Sequence, residues 1–192
     1  MRSIATAVIF CNLFLNIGFV QIKSASSLEP TELEGFAAQP DSYVRWSKKI
    51  GDIEGTEARV VITALAVENA KRVPSRMKGV RIDLVNHNAS DQVYIEESRL
   101  EPIKKALDQI DSEIAEFEKE SNEGTKCRYL GAAEFWHPDR RIHTLNAAYY
   151  IVPDSSGLSL SAYRAQEFRF PGHRPSELAA VIGRVMDELE RH

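Results

Sequence analysis

Apolar positions recur with two different periods along this chain. Residues 98–124 and 175–192 each carry apolar side chains at intervals of three and four, which predicts an amphipathic helix in both segments. Ahead of each helix, β-branched, aromatic and alternating apolar residues predict strands. The predicted strands are residues 58–67, 80–85, 92–96, 127–137, 141–152 and 158–170, the last as one long strand or two bent ones.

The helix boundaries carry further local signals. Ser98 and Glu101 have the spacing of a capping box, in which each side chain satisfies a backbone donor at the start of a helix. Gly124 is suited to end that helix, and Pro175 to occupy the first position of the second one. The apolar stripes are Ile103, Ala106, Leu107, Ile110, Ile114 and Phe117 in the first helix and Leu178, Ile182, Val185, Met186 and Leu189 in the second.

Three strands and a helix, occurring twice, predict an α+β fold. We expect a single domain over residues 57–192, with units 57–124 and 125–192 forming a βββα pseudo-repeat. Residues 27–56, where glycine and proline are scattered through polar sequence, are predicted to be an irregular lead-in with a short helix around residues 31–33 as the alternative. The antiparallel sheet would be covered on one face by both helices, which leaves the opposite face or the hairpin loops for function.

The first residues have the three-part layout of a secretory signal peptide. Arg2 is followed by an apolar stretch of 17 residues and then by the small residues Ser24 and Ser26. This stretch falls short of the ~20 apolar residues that cross a bilayer. We predict that residues 1–26 are removed and that the protein is secreted or periplasmic, without integral membrane association. An uncleaved N-terminal anchor is the alternative.

Export changes both the charge and the cysteine chemistry. The signal segment contains two basic residues and no acidic one, so 22 basic and 28 acidic residues remain, a formal charge of −6. A net-negative domain has no general attraction to nucleic acid or anionic lipid. Cys127 is the one cysteine left once Cys11 is removed, so the mature chain can form no internal disulfide.

The predicted alternation of sheet and helix resembles the architecture of single-stranded nucleic-acid binders of the Whirly type. The resemblance extends over the mature chain, but no motif of that family is present, so it implies no site residue here. It implies nucleic-acid binding as an activity, against which the expected export and the negative charge argue. We therefore expect no nucleic-acid partner.

The most uneven charge distribution lies between residues 71 and 81. Five basic residues occur there without an acidic one, around Pro74 and Gly79, which predicts an exposed basic loop. Such a loop can hold phosphate, sulfate or an acidic polysaccharide, or dock on the acidic stretch 108–123 of another copy of the chain, and a solvated connector is the alternative. The basic residues are Lys71, Arg72, Arg76, Lys78 and Arg81.

A second candidate surface is the hairpin turn around residues 136–143. Trp136, Arg140 and Arg141 belong to the residue types that dominate the energy of protein interfaces. The turn also contains two histidines and an aspartate, which form a metal site only if the strand register places both imidazoles on one face. No HxH, HxxxH or HExxH spacing fixes that geometry, so we predict neither a metal nor another cofactor. These three residues are His137, Asp139 and His143.

Other polar residues give weaker signals. The serines near Gly157 lack the GxSxG and SxxK motifs and match the solvent face of a strand. His173 precedes the last helix, where it would serve either as a base or as a local hydrogen-bonding residue. Asn88 starts an N-glycosylation sequon in a predicted turn, which would be used if the organism is eukaryotic.

Two classes of function remain open. We favour an exported non-enzymatic binding or adaptor domain that uses the basic loop and the Trp136 hairpin, because such surfaces need shape and charge but no positioned catalytic groups. Its partner would be a protein or an anionic surface. The alternative is a small exported hydrolase, with or without a divalent metal, that uses His137, His143, Asp139 or His173.

Overall fold

A computed structural model describes residues 30–120, 128–136, 143–152, 155–162 and 167–192. Within these residues the protein is α+β, with two antiparallel sheets of four strands each and three α-helices. Each sheet is a meander, because its strands lie side by side in chain order. The elements are α1 (Glu32–Ala37), β1 (Tyr43–Glu54), β2 (Ala58–Glu68), β3 (Arg76–Asn86), β4 (Ser90–Glu96), α2 (Leu100–Glu120), β5 (Arg128–Trp136), β6 (His143–Val152), β7 (Ser155–Ser161), β8 (Glu167–Pro171) and α3 (Pro175–Glu190).

The predicted α+β class is confirmed, as is the packing of antiparallel sheet against two amphipathic helices. Buried residues of both sheets and of α2 and α3 belong to one hydrophobic core. The segment 158–170 forms two strands, β7 and β8. The core residues from the strands include Val60, Ile62, Val80, Ile82, Leu158, Leu160, Phe168 and Phe170, and those from the helices include Ile103, Leu107, Ile110, Ile114, Leu178, Ile182, Val185 and Leu189.

The prediction of an irregular lead-in is wrong, because this segment contains the 12-residue strand β1. Each unit therefore has four strands before its helix rather than three. The alternative of a short helix around residues 31–33 is confirmed by α1. Most residues of β1 are exposed or half-buried, and Ile53 is its buried residue. The pairing with β2 also shifts register around Arg45 and around Ile50. Because each extra residue reverses the alternation of faces, this edge strand lacks the period of two from which strands are predicted.

The predicted capping box at Ser98 is also wrong. Ser98 lies inside a short 3-10 turn, Glu97–Arg99, that directly precedes α2. The extended residue at the start of this turn is Glu96, and it makes no side-chain capping bond there. A serine inside this turn is not at the N-cap position, where its hydroxyl oxygen would accept a hydrogen bond from an unpaired backbone N–H of the first helical turn.

α1 covers one end of the outer face of the first sheet. The inner face of this sheet carries Val60 and Ile62, whereas Leu65 and Val67 of β2 point outward and pack against Leu33 and Phe36 of α1. A Cβ atom at Gly79 would lie 2.6 Å from Leu33 Cδ2, so the helix sits this close to the sheet only over glycine. The backbone N–H of Leu33 also donates to Glu96 Oε1 at 3.0 Å. The Glu96 carboxylate thus satisfies a donor of α1 and not one of α2.

α3 crosses the inner face of the first sheet at β1. A Cβ atom at Gly51 would lie 3.2 Å from both Val181 Cγ1 and Arg184 Nη2, so the absence of a side chain allows this close crossing. Nearby, Lys48 Nζ forms an ion pair with Glu188 Oε1 at 2.9 Å. The end of α3 is therefore held against the end of the first sheet where β2 turns into β3.

Candidate functional site

The five basic residues predicted to share a loop lie on two elements and point in different directions. Lys71 and Arg72 lie in the turn between β2 and β3, whereas Arg76, Lys78 and Arg81 belong to β3. Because side chains alternate along a strand, Arg76 and Lys78 face the inner side and Arg81 faces the outer side. Arg81 pairs there with Asp83 at 3.0 Å. The basic stretch is therefore not one continuous loop surface.

Arg76 and Lys78 bind the C-terminal end of α3. Arg76 Nη2 donates to the carbonyl oxygen of His192 at 2.8 Å, and Lys78 Nζ donates to that of Leu189 at 2.7 Å. Carbonyls at a helix end lack partners within the helix, and the helix dipole favours cations there. The ring of His192 is stacked on Trp46 of β1 with centroids 4.2 Å apart. These two cations therefore have structural partners within the fold.

Lys71 and Arg72 are held more loosely at the tip of the turn. Lys71 Nζ contacts Asp41 Oδ2 at 2.7 Å, and Arg72 Nη2 donates to Gln39 Oε1 at 2.9 Å. Both hydrogen bonds are exposed to solvent. Exposed ion pairs stabilise a fold by roughly 0–1 kcal/mol, so a ligand can replace these partners at little cost.

Asn69 builds this turn and was not singled out by the sequence. It is 1% exposed, and its Nδ2 donates to the Pro40 carbonyl at 3.1 Å and to Ser42 Oγ at 2.9 Å. Its Oδ1 accepts from the backbone N–H of Lys71 at 3.0 Å. Asparagine is typical of turns, but its role here depends on partners almost thirty residues away, which no local pattern reveals.

Exposed apolar side chains are concentrated at the same end of the first sheet. Tyr43 is 52%, Val44 58% and Val73 100% exposed, and the one other large apolar side chain that is exposed among the described residues, Val85, lies at the opposite end. Tyr43 is paired with Glu68, the last residue of β2, so β1 begins beside the turn that carries Val73. We call this end of the sheet the apex and define it as Tyr43, Val44, Lys71, Arg72 and Val73. The consecutive residues Tyr43 and Val44 point to opposite faces of the sheet there.

The apex tyrosine is tied to the sheet through its hydroxyl. Tyr43 Oη donates to Glu68 Oε2 at 2.9 Å. This hydrogen bond, together with the negative charge of Glu68, raises the pKa of Tyr43 above its ordinary value. The ring therefore carries a neutral hydroxyl at physiological pH and is half exposed at this end of the sheet.

The second predicted surface lies mostly outside the described residues. Arg140, Arg141, His137 and Asp139 are all outside them, and for Trp136 and His143 the structure describes the backbone alone. That backbone pairs Trp136 directly with His143 across β5 and β6. The predicted roles of this hairpin in partner contact, hydrolysis or metal binding stay predictions. Cys127 also lies outside the described residues.

His173 makes two hydrogen bonds to different parts of the fold. Its Nδ1 lies 2.8 Å from Glu177 Oε2 in α3, and its Nε2 lies 2.9 Å from the carbonyl oxygen of Glu54 at the end of β1. Burial raises the pKa of Glu177, whereas hydrogen bonds from His173 and from the Arg174 N–H lower it. The lowering effects together outweigh burial, so the pKa lies below its ordinary value. The contact with Glu177 is local, as predicted, whereas the contact with Glu54 joins residues 119 positions apart.

The remaining candidate positions are local features. Asn88 is exposed in the turn between β3 and β4, where Asn86 Oδ1 accepts from the backbone N–H groups of residues 88 and 89 at 2.9 and 2.7 Å. Ser159 does not match the predicted solvent-facing serines, because it is 7% exposed and its hydroxyl donates to Glu167 Oε1 at 2.7 Å. The sequon asparagine is thus accessible, and glycosylation itself stays a prediction.

In the parts of the chain that the structure describes, no three histidine, cysteine, aspartate or glutamate side chains are grouped closely enough to hold a metal ion. No helix within those same parts is long and apolar enough to span a bilayer. Comparison with known protein families and with curated proteins finds no match for this sequence.

Proposed function

We propose that this protein is an exported, non-enzymatic binding domain that docks an acidic surface of a partner protein through the apex. The observation that carries the proposal is the exposure of Tyr43, Val44 and Val73 at the end of the sheet that also carries the loosely held Lys71 and Arg72. Aromatic and basic residues are enriched in protein interfaces, where the apolar groups lose water and the charges select the partner. A polysaccharide or phosphate ligand would use the cations and would have no need of the apolar residues.

The charge of the chain supports a local and oriented attraction. The mature chain is net negative at −6, so an acidic partner is repelled by most of the surface. At the apex, Lys71 and Arg72 are joined by exposed Arg45 in the first bulge of β1. Two acids at this end, Glu68 and Asp41, are each engaged with an apex side chain. A partner carboxylate can therefore exchange for Asp41 at Lys71.

Two parts of the proposal depend on the sequence. Export is supported by the three-part N-terminal segment, residues 1–26. The hairpin residues Trp136, Arg140 and Arg141 enter as a second contact patch on the strength of their residue types. Mass measurement of the N-terminus of the isolated protein tests export: a chain that begins near Ser27 supports it, and an intact Met1 contradicts it.

Retention on an acidic polymer tests the apex. A resin carrying a random copolymer of glutamate and tyrosine imitates an acidic protein surface, and binding is measured at low salt. We expect the double variant Lys71→Ser/Arg72→Ser to lose about tenfold in affinity, equivalent to about 1.4 kcal/mol. Val73→Ser should reduce retention to a smaller extent, because it removes apolar contact and leaves the charge intact.

The matched control removes the same number of positive charges from another exposed place. Lys104 and Lys105 lie on α2 and pair with Asp108 and Glu101. The variant Lys104→Ser/Lys105→Ser should retain the affinity of the unaltered chain. Equal losses in both double variants would show a net-charge effect and overturn the apex. Stronger retention on a heparin resin, insensitive to Val73→Ser, would indicate a polysaccharide ligand instead.

A further inference from the structure

We propose that His173 is a proton-dependent clamp between the two sheets. The residue lies between β8 of the second sheet and α3, while the carbonyl that its Nε2 faces belongs to Glu54 at the end of β1 in the first sheet. This inference is independent of the apex, which lies at the other end of the first sheet. It concerns the joint between the sheets and the way in which pH acts on it.

The protonation state follows from the two partners of the ring. Both atoms that face it, Glu177 Oε2 at 2.8 Å and the Glu54 carbonyl oxygen at 2.9 Å, are hydrogen-bond acceptors. A neutral imidazole has one N–H donor and one nitrogen lone pair, whereas an imidazolium has two donors. The imidazolium is therefore the form that satisfies both contacts.

Loss of the proton breaks the contact between the sheets first. A hydrogen bond to a carboxylate is stronger than one to a neutral carbonyl, so the neutral ring keeps its proton on Nδ1 toward Glu177. The Nε2 lone pair then faces the lone pairs of the Glu54 carbonyl, and this contact becomes repulsive. The hydrogen bond to Glu177 is therefore kept, whereas the bond to Glu54, which joins the two sheets, is lost.

Backbone contacts on both sides of the His173–Glu54 bond hold the two sheets close together at this point. The His173 carbonyl accepts from the backbone N–H of Leu158 at 2.9 Å, which fixes the residue to β7. On the other side, a Cβ atom at Gly55 would lie 3.2 Å from Phe170 Cδ1 and 3.3 Å from the Arg169 carbonyl, so the turn after β1 rests directly on β8. The clamp therefore closes a corner at which the sheets already touch.

The charged group that contacts the ring directly is the carboxylate of Glu177. Glu177 on α3 is ionised over the pH range in which imidazoles titrate, since its pKa lies below its ordinary value. The other charged groups of the elements that meet here are mostly joined in pairs, so their charges largely offset one another. They are Glu54 with Arg59 in the turn of the first sheet, Arg169 with Glu167 on β8, and Arg174 before α3 with Asp111 on α2, which also accepts from Ser176.

The direction of the pH effect follows from this geometry. The stabilisation from the clamp is present at the acid side of the range in which imidazoles titrate and is lost as pH rises through it. A lower bound is set by Glu177, whose contribution is lost once the pH falls far enough to protonate its carboxylate. An exported protein that meets compartments of different acidity would thus be more rigid at this joint under mildly acidic conditions.

The test combines a spectroscopic signature with stability. In 15N-labelled protein at about pH 5.5, both ring nitrogens of His173 should carry protons and show similar shifts, and at about pH 8 the shifts should separate with the proton on Nδ1. Over the same change the amide of Gly55, which donates to the Ala58 carbonyl, should lose several-fold in protection from hydrogen exchange. The melting temperature should fall by about 2–4 °C.

Variants separate this clamp from other histidines. His173→Gln should remove the pH-dependent change at Gly55, whereas His87→Gln, at an exposed position of the turn after β3, should leave it unchanged. A neutral ring at about pH 5.5, or equal pH dependence in both variants, would overturn the proposal. If His173→Gln fails to fold, the 15N shifts of the His173 ring in the unaltered protein still test the proposal.

Discussion

Two halves of one basic stretch have different kinds of partner in this protein. Lys71 and Arg72 lie in the turn after β2 and contact side chains, while Arg76 and Lys78 lie on β3 and bind backbone carbonyls at the end of α3. The bond of Lys78 is partly buried, whereas those of Lys71, Arg72 and Arg76 are exposed. All four residues are cations within eight positions of the sequence. The boundary between turn and strand, and not the residue type, separates those available to a partner from those that hold a helix.

The comparison teaches how a charge cluster in a sequence should be interpreted. A strand directs neighbouring side chains to opposite faces, so a run of basic residues that enters a strand is divided between different surroundings. Helix carbonyls are fixed acceptors that any cation within reach will satisfy. The residues that remain in the turn keep exposed side-chain partners, which contribute little to stability.

Removal of the Asn69 side chain should have the largest effect on stability, because this side chain builds the turn that carries Lys71 and Arg72. Asn69→Ala removes three hydrogen bonds of a buried amide and leaves the Pro40 carbonyl and the Lys71 N–H without their partner. We expect a loss of about 2–4 kcal/mol in the free energy of unfolding. Urea denaturation followed by circular dichroism measures it. A loss below about 0.5 kcal/mol would show that the turn does not depend on Asn69.

Replacement of the helix-binding cations should have an intermediate effect. Arg76→Ser/Lys78→Ser leaves the carbonyls of Leu189 and His192 without these donors, and we expect a loss of about 1–2 kcal/mol in stability. Lys71→Ser/Arg72→Ser, in the same assay, should change stability by less than about 0.5 kcal/mol. Equal losses in the two double variants would contradict the division of the basic stretch.

Protonation of Glu188 at low pH should lower the free energy of unfolding by a smaller amount. The hydrogen bond and charge of Lys48, aided by the nearby charges of Arg191 and His192, lower the pKa of Glu188 against the opposing effect of burial. This stabilisation is present above the ordinary carboxyl pKa of 4.5 and is lost as pH falls below it. The urea midpoint should therefore decrease at low pH, and Glu188→Gln should reduce that decrease. An unchanged acid response in the variant would show that the ion pair contributes little.

Much of the fold was predictable from the sequence, for reasons that specific elements illustrate. α2 and α3 were predicted because their apolar stripes are uninterrupted and face one core. β2 was predicted because both of its faces are largely buried, by the core on one side and by α1 at one end of the other. β1 was missed because it is exposed and twice out of register, so its alternation is broken.

The candidate site was less predictable than the fold. Lys71 and Arg72 were identified from charge alone, but Tyr43 and Val44, in a segment expected to be irregular, were not. Nothing local connects Tyr43 with Val73, because their proximity depends on the pairing of β1 with β2. The two bonds of His173 were equally hidden, since its Nε2 contacts a carbonyl 119 positions away.

Local chemistry in the chain therefore determined the fold class, the two core-facing helices and the presence of an excess of positive charge between residues 71 and 81. These properties depend on the order of neighbouring residues, which a sequence states directly. Strand register, the start of β3 at Arg76 and the meeting of the two sheets at His173 were decided only by the tertiary structure. They depend on which distant groups find one another when a common core is buried, and that is a property of the whole chain.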